Sequence, residues 1–94
     1  MNEPDPDTIA RAVLDCPDVA GLSGDVATYL PGRRVAGVAV RGDGEPLIEV
    51  HVVGRWGPPV THIAEQVRRA VHAIAPDVPL NVVIDDLDLG QVAG

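Results

Sequence analysis

The sequence predicts an α+β fold: a two-layer sandwich in the order helix-strand-strand-helix-strand, with a three-stranded mixed sheet packed on helices. Three observations predict it. Val60, Ile63, Ala64, Val67, Val71 and Ile74 recur at the period of one helix face. Upstream, Ile48, Val50 and Val52 alternate with Glu49 and His51, the pattern of a strand with one buried face. Beyond Pro76, Leu80, Val82 and Ile84 alternate with Asn81, Val83 and Asp85 in the same way.

Residues 1–6 read as a disordered lead, 7–89 as a single domain and 90–94 as a flexible tail. Asp7 is placed to cap a first helix carrying Ile9, Ala12, Val13 and Cys16 at helical spacing, which Pro17 stops. Val19-Ala20-Gly21-Leu22-Ser23-Gly24 reads as a small-residue linker, and residues 25–30 as a helical turn ended by Pro31-Gly32. Residues 35–41 read as a strand, joined through Gly42-Asp43-Gly44 to a second strand over 47–53 to make a β-hairpin. Gly54-Arg55-Trp56-Gly57-Pro58-Pro59 is a turn. Thr61 is expected to cap the long helix, Glu65 and Arg69 to pair across one of its turns, and Pro76 to end it. The strand–helix–strand half should form a right-handed crossover with parallel strands; which hairpin strand receives the last one is open.

With both helices on one face of the sheet, Leu47, Glu49, His51, Val53, Asn81, Val83 and Asp85 point away from them. That face suits self-association or a partner, and equally the ordinary scatter of exposed aliphatics. Trp56, between a strand end and a Gly-Pro-Pro turn, is read first as sealing the edge of the core and second as a binding anchor. The candidate interaction surface is therefore Trp56, Leu47, Glu49, His51, Val53 and Val83.

Composition limits the function. The chain has 94 residues, 46% of them apolar, but Trp56 and Tyr29 are its only aromatics, so the core is aliphatic. Fourteen acidic residues against seven basic give a net charge of −7, which argues against affinity built on phosphates or anionic headgroups. A single cysteine, Cys16, leaves no internal disulfide or zinc cluster and reads as a buried thiol. The acidic, proline-bearing start is unlike a secretory signal, and no apolar run approaches the ~18 residues of a membrane span, so a cytoplasmic protein is expected.

No catalytic constellation is read from the residues, and no cofactor or metal site. His62 and His72 fall on different faces of their helix, and His51 beside Glu49 or Asp85 reads as a surface contact of little worth. Asp85-Asp86-x-Asp88 lacks the glycine turn and closing glutamate of a calcium loop and reads as a solvated strand end. Ser23 lacks the Gly-x-Ser-x-Gly elbow and reads as a turn serine. Arg33, Arg34, Arg55, Arg68 and Arg69 read as partners of neighbouring carboxylates.

Several segments together resemble a family. Val19-Ala20-Gly21-Leu22-Ser23-Gly24, Gly37-Val38-Ala39-Val40, Trp56-Gly57-Pro58-Pro59-Val60-Thr61-His62-Ile63-Ala64 and Leu80-Asn81-Val82-Val83-Ile84-Asp85-Asp86-Leu87 are similar, in that order, to the bacterial alkaline shock or general stress proteins. The resemblance runs from about Ile9 to Asp88. It implies a cytoplasmic, non-catalytic protein of the envelope stress response that assembles with itself and is held at the inner face of the membrane by a membrane-anchored partner. The alternative is a small RNA-binding module of K-homology-like architecture, for which the chain lacks a Gly-x-x-Gly loop and stacking aromatics.

Overall fold

The computed structural model describes residues 5–42 and 44–90. Residues 1–4 of the expected lead, Asp43 of the hairpin turn and residues 91–94 of the expected tail lie outside the described residues. The order is α1 (Pro6–Leu14), β1 (Val19–Leu22), β2 (Ala27–Leu30), β3 (Arg33–Ala36), β4 (Val38–Arg41), β5 (Leu47–Arg55), α2 (Val60–His72) and β6 (Leu80–Asp88). The fold is α+β.

Everything is arranged around β5. Ile48, Val50 and Val52 are fully buried, while Leu47, Glu49, His51 and Val53 between them are half-buried. β6 runs parallel along one edge of β5, from Ile48 opposite Leu80 to Val52 opposite Ile84. The other edge is shared: β4 pairs antiparallel with residues 47–50 and β1 with residues 52–54. A strand has only two edges, so β4 and β1 must lie end to end. Their seam falls at His51, whose N–H donates to the Gly37 carbonyl at 2.8 Å and whose carbonyl accepts from the Ser23 N–H at 2.8 Å.

The expected three-stranded sheet is therefore a four-stranded mixed sheet, three ranks wide. Residues 19–22 are a strand and not a linker, because they complete an edge of β5 that only the tertiary fold supplies. Residues 27–30 are a strand and not a helical turn. They pair with β3 in a separate antiparallel ribbon, from Ala27 opposite Ala36 to Leu30 opposite Arg33, turned at Gly32 with φ +78°. The expected strand over 35–41 is divided by Gly37. Its φ is +82°, and a Cβ there would lie 2.6 Å from the Leu22 Cβ, so the chain turns where only glycine fits.

Both helices cover the buried face of β5. Ile9 and Val13 from α1 and Ile63, Val67 and Val71 from α2 are fully buried with Ile48, Val50 and Val52 in one aliphatic core. The α1 cap is Asp5 and not Asp7: its side chain accepts from the Asp7 N–H and, at 2.9 Å, from the Thr8 hydroxyl. Asp7 sits in the first turn and pairs with Arg33 of β3, tying the ribbon to α1. α2 starts after Pro59 with no side-chain cap, which leaves Thr61 inside the helix. It ends at His72, so Ile74 leaves the stripe and is exposed while Ala75 takes the buried place. Among the described residues no ion pair joins Glu65 to Arg69.

Cys16 lies just past α1 and is buried. Burial, then Asp15 and Asp18, push its thiol above the ordinary value, the setting of an unreactive cysteine.

Candidate functional site

The register of β5 against β6 sets the geometry of the outer sheet face. Val52 lies opposite Ile84 and Val53 opposite Asp86, so Asp85 is the extra residue of a bulge. Its carboxylate reaches over β5 and places Oδ2 2.8 Å from Nδ1 of His51. Glu49, two residues back on the same face, places Oε2 2.8 Å from Nε2. Arg41 of β4 then donates from Nε to Glu49 Oε1 at 2.9 Å. The His51 side chain is 12% exposed, so this is no loose surface pair as the strand alternation alone suggested.

The electrostatics follow from that arrangement. Burial works against a charge on His51, but the hydrogen bonds and charges of Glu49 and Asp85 outweigh it and raise its pKa above the usual histidine range. Glu49 is lowered, first by the hydrogen bond from His51 and further by Arg41. Asp85 is lowered by the Ser23 hydroxyl and then by His51, with Asp25 alongside. His51 as imidazolium donates both N–H groups, to Glu49 and Asp85, and with Arg41 it offsets those two carboxylates, while Asp25 adds a third acidic group beside them. The group is an ion-pair clamp that pins the β6 bulge to β5.

Asp25, His51 and Asp85 bring three donor atoms within 4.8 Å of one another, the spread of a small cation site. As imidazolium His51 donates from both nitrogens, to Asp85 and to Glu49, and offers no lone pair; once neutral it has one. A general base or a metal ligand needs one. Ser23 is buried and faces Asp85, not a ring nitrogen of His51, so no nucleophile–base pair forms here.

A pH dependence follows. A raised histidine pKa stabilises the fold fully below the unfolded value of about 6.5, and that contribution is lost as pH rises through the folded value. A lowered Glu49 contributes above about 4.5 and loses its share as pH falls through its folded value. The clamp is therefore strongest between pH 4.5 and 6.5. Urea unfolding at pH 6 and pH 9 should show the wild type losing stability between the two. His51→Ala should be weaker at pH 6 and lack that slope; an equal slope in both proteins would place the titration elsewhere.

Trp56 is 66% exposed and does not seal the core edge. The space is already taken: at Gly54 the Ile63 Cδ1 and Leu87 Cδ2 close over the end of β5. The Trp56 backbone N–H donates to the Asp88 carbonyl at 2.9 Å, which holds the Trp56 backbone at the end of β6. With Pro58, Pro59, Val60 and Leu87 it lines a shallow apolar depression.

The remaining candidates are dispersed. Leu47, Glu49, His51 and Val53 share one face of β5 with Val83 of β6 opposite His51, whereas Trp56 stands beyond the strand end. Asp86 and Asp88 are the exposed end of β6, their carboxylates accepting from the backbone N–H of Leu87 and Gly90. Arg33 pairs with a carboxylate, that of Asp7, whereas Arg34 and Arg55 donate to the backbone carbonyls of Gly24 and Pro17. His62 lies 3.7 Å from Asp18, which Gln66 of α2 also holds at 2.6 Å.

Sequence reasoning missed Arg41, Ser23 and Asp25 as neighbours of His51. One signal for the bulge was present: the inward series Leu80, Val82, Ile84 is continued by Leu87, three residues on and not two. Among the described residues no helix is long and apolar enough to cross a membrane. Comparison with protein-family models, with curated proteins and with solved structures finds no match to this chain.

Proposed function

We propose that the chain is a non-catalytic interaction and scaffold domain of the envelope stress response type, self-associating through the outer face of its sheet. The motif resemblance supports this reading, and it extends to a cytoplasmic protein held at the membrane by an anchored protein partner. The observation that carries it is the character of the outer face. Val83, at 36% exposure, stands across from His51 and beside the half-buried Val53, around a clamp in which Glu49 and Asp85 are paired. With Glu49 and Asp85 already paired to His51 and Arg41, the exposed aliphatic can meet its own copy despite a chain charge of −7. The same face, with Glu49, Asp85 and Asp25 and no exposed aromatic pair, is a poor surface for RNA.

Light scattering coupled to size exclusion, over a range of concentrations, tests this. The wild type is expected to run as an oligomer and Val83→Glu as a folded monomer, because a desolvated carboxylate at the contact costs several kcal/mol, on the order of a hundredfold in affinity or more. A wild type that stays monomeric throughout would remove the proposal.

A further inference from the structure

We propose that the free edge of β6 is a docking site for an extended, basic segment of a partner protein, which adds to the sheet as a further strand and lays a side chain on Trp56. This site is separate from the outer-face contact.

Among the described residues β6 pairs only with β5, so a nine-residue strand keeps one edge open. Ile48 donates to the Pro79 carbonyl, which sets the alternation: the backbone groups of Asn81 and Val83 turn toward β5, and those of Leu80, Val82 and Ile84 toward the open edge. Three successive outward N–H and C=O pairs are what an added strand bonds.

Charge selects the occupant. Asp85 is neutralised in the clamp, but Asp86 and Asp88 are exposed and, among the described residues, make no ion pair. Acidic side chains on an edge repel acidic strands, this one included. A second copy added here would bring another acidic edge, and another chain of charge −7, against this one. A basic strand meets the opposite case, with Arg or Lys over Asp86 and Asp88.

Trp56 supplies the anchor. Its backbone bond to Asp88 holds residue 56 at the end of β6, and its exposed indole lines a depression there with Leu87 and the exposed Val60. An exposed indole accepts a guanidinium stacked on its face, or an aliphatic side chain against its edge.

The probe is a blocked octapeptide of alternating Arg and Val, with three controls: alternating Glu and Val, and the Arg peptide N-methylated either at every Arg or at every Val, so that charge is kept and one bonding edge is lost in each. Binding is read from the emission of the single tryptophan and from amide exchange. The Arg peptide should saturate, shift Trp56 emission and protect the amides of Val82 and Ile84. The Glu peptide should not bind, and N-methylation on the bonding edge should abolish binding. Trp56→Ala should weaken it about thirtyfold, read by amide exchange, and the pair Asp86→Lys with Asp88→Lys about tenfold or more. Full binding by both singly edged N-methylated peptides, or protection mapping away from β6, would show mere charge attraction and overturn the proposal. A Trp56 shift that grows with protein concentration alone would make the occupant a second copy and overturn it too. Val83→Glu should leave peptide binding intact, so failure here and failure of outer-face self-association are read separately.

Discussion

Gly37→Val is expected to destabilise the protein by about 3–5 kcal/mol, a large part of the ~5–14 kcal/mol that a domain of this size holds. Two costs add. At φ +82° a β-branched residue is strained, and its Cβ would lie 2.6 Å from the Leu22 Cβ and 3.0 Å from the His51 carbonyl oxygen. The second cost cannot be relieved by turning a side chain, because the His51 carbonyl already accepts the Ser23 N–H at the seam between β4 and β1. Moving it disturbs both strands. Gly32→Ala is the control: its φ of +78° carries similar backbone strain, but nothing lies within 4 Å, so about 1 kcal/mol is expected. Urea midpoints of the two variants decide the matter; equal losses would mean that close approach at the seam contributes nothing.

The contrast between those glycines marks what the sequence could reveal. Local period was legible where one element carried it alone. Val67 and Val71 on α2 and the alternation from Ile48 to Val52 are read directly, and both are buried as their spacing requires. The parallel pairing of the last strand followed from the helix between the two. β1 was not legible, because Val19-Ala20-Gly21-Leu22 has no strand signal of its own and is a strand only by virtue of the edge that β5 leaves beside β4. β2 and β3 fail for a related reason: they form a ribbon outside the main sheet, held by Arg33 on Asp7 and by Thr28 donating to the Val38 carbonyl at 2.6 Å. Those partners are distant in the chain.

The clamp shows the same division. Alternation placed Glu49 and His51 on one face, and that placement holds. What no alternation could give is the bulge, which turns Asp85 toward His51 and raises a weak surface pair into a doubly bonded imidazolium. Trp56 fails in the opposite direction. A large aromatic in an aliphatic chain is a natural core residue, yet the end of β5 is closed by Ile63 and Leu87 against a glycine, and the indole is left outside.

That closure yields the second large effect. Gly54→Ala puts a methyl 2.8 Å from Ile63 Cδ1 and 3.2 Å from Leu87 Cδ2, an overpacked site expected to cost about 1–3 kcal/mol even though alanine suits a strand better than glycine. Ile63→Val deletes the Cδ1 that the new methyl meets and should cost about 1 kcal/mol alone, as one buried methyl group lost. The double variant should then be more stable than the sum of the two losses by about 1 kcal/mol or more, since the added and deleted groups occupy one space. Chemical denaturation of the four proteins measures the coupling, and simple additivity would show that α2 does not rest on Gly54 as described. In all four, Trp56 emission should remain that of a solvent-exposed indole. If Ile63→Val instead drew the indole inward, the anchor at the end of β6 would depend on Ile63 holding that space, and the peptide affinity of the variant should fall with it.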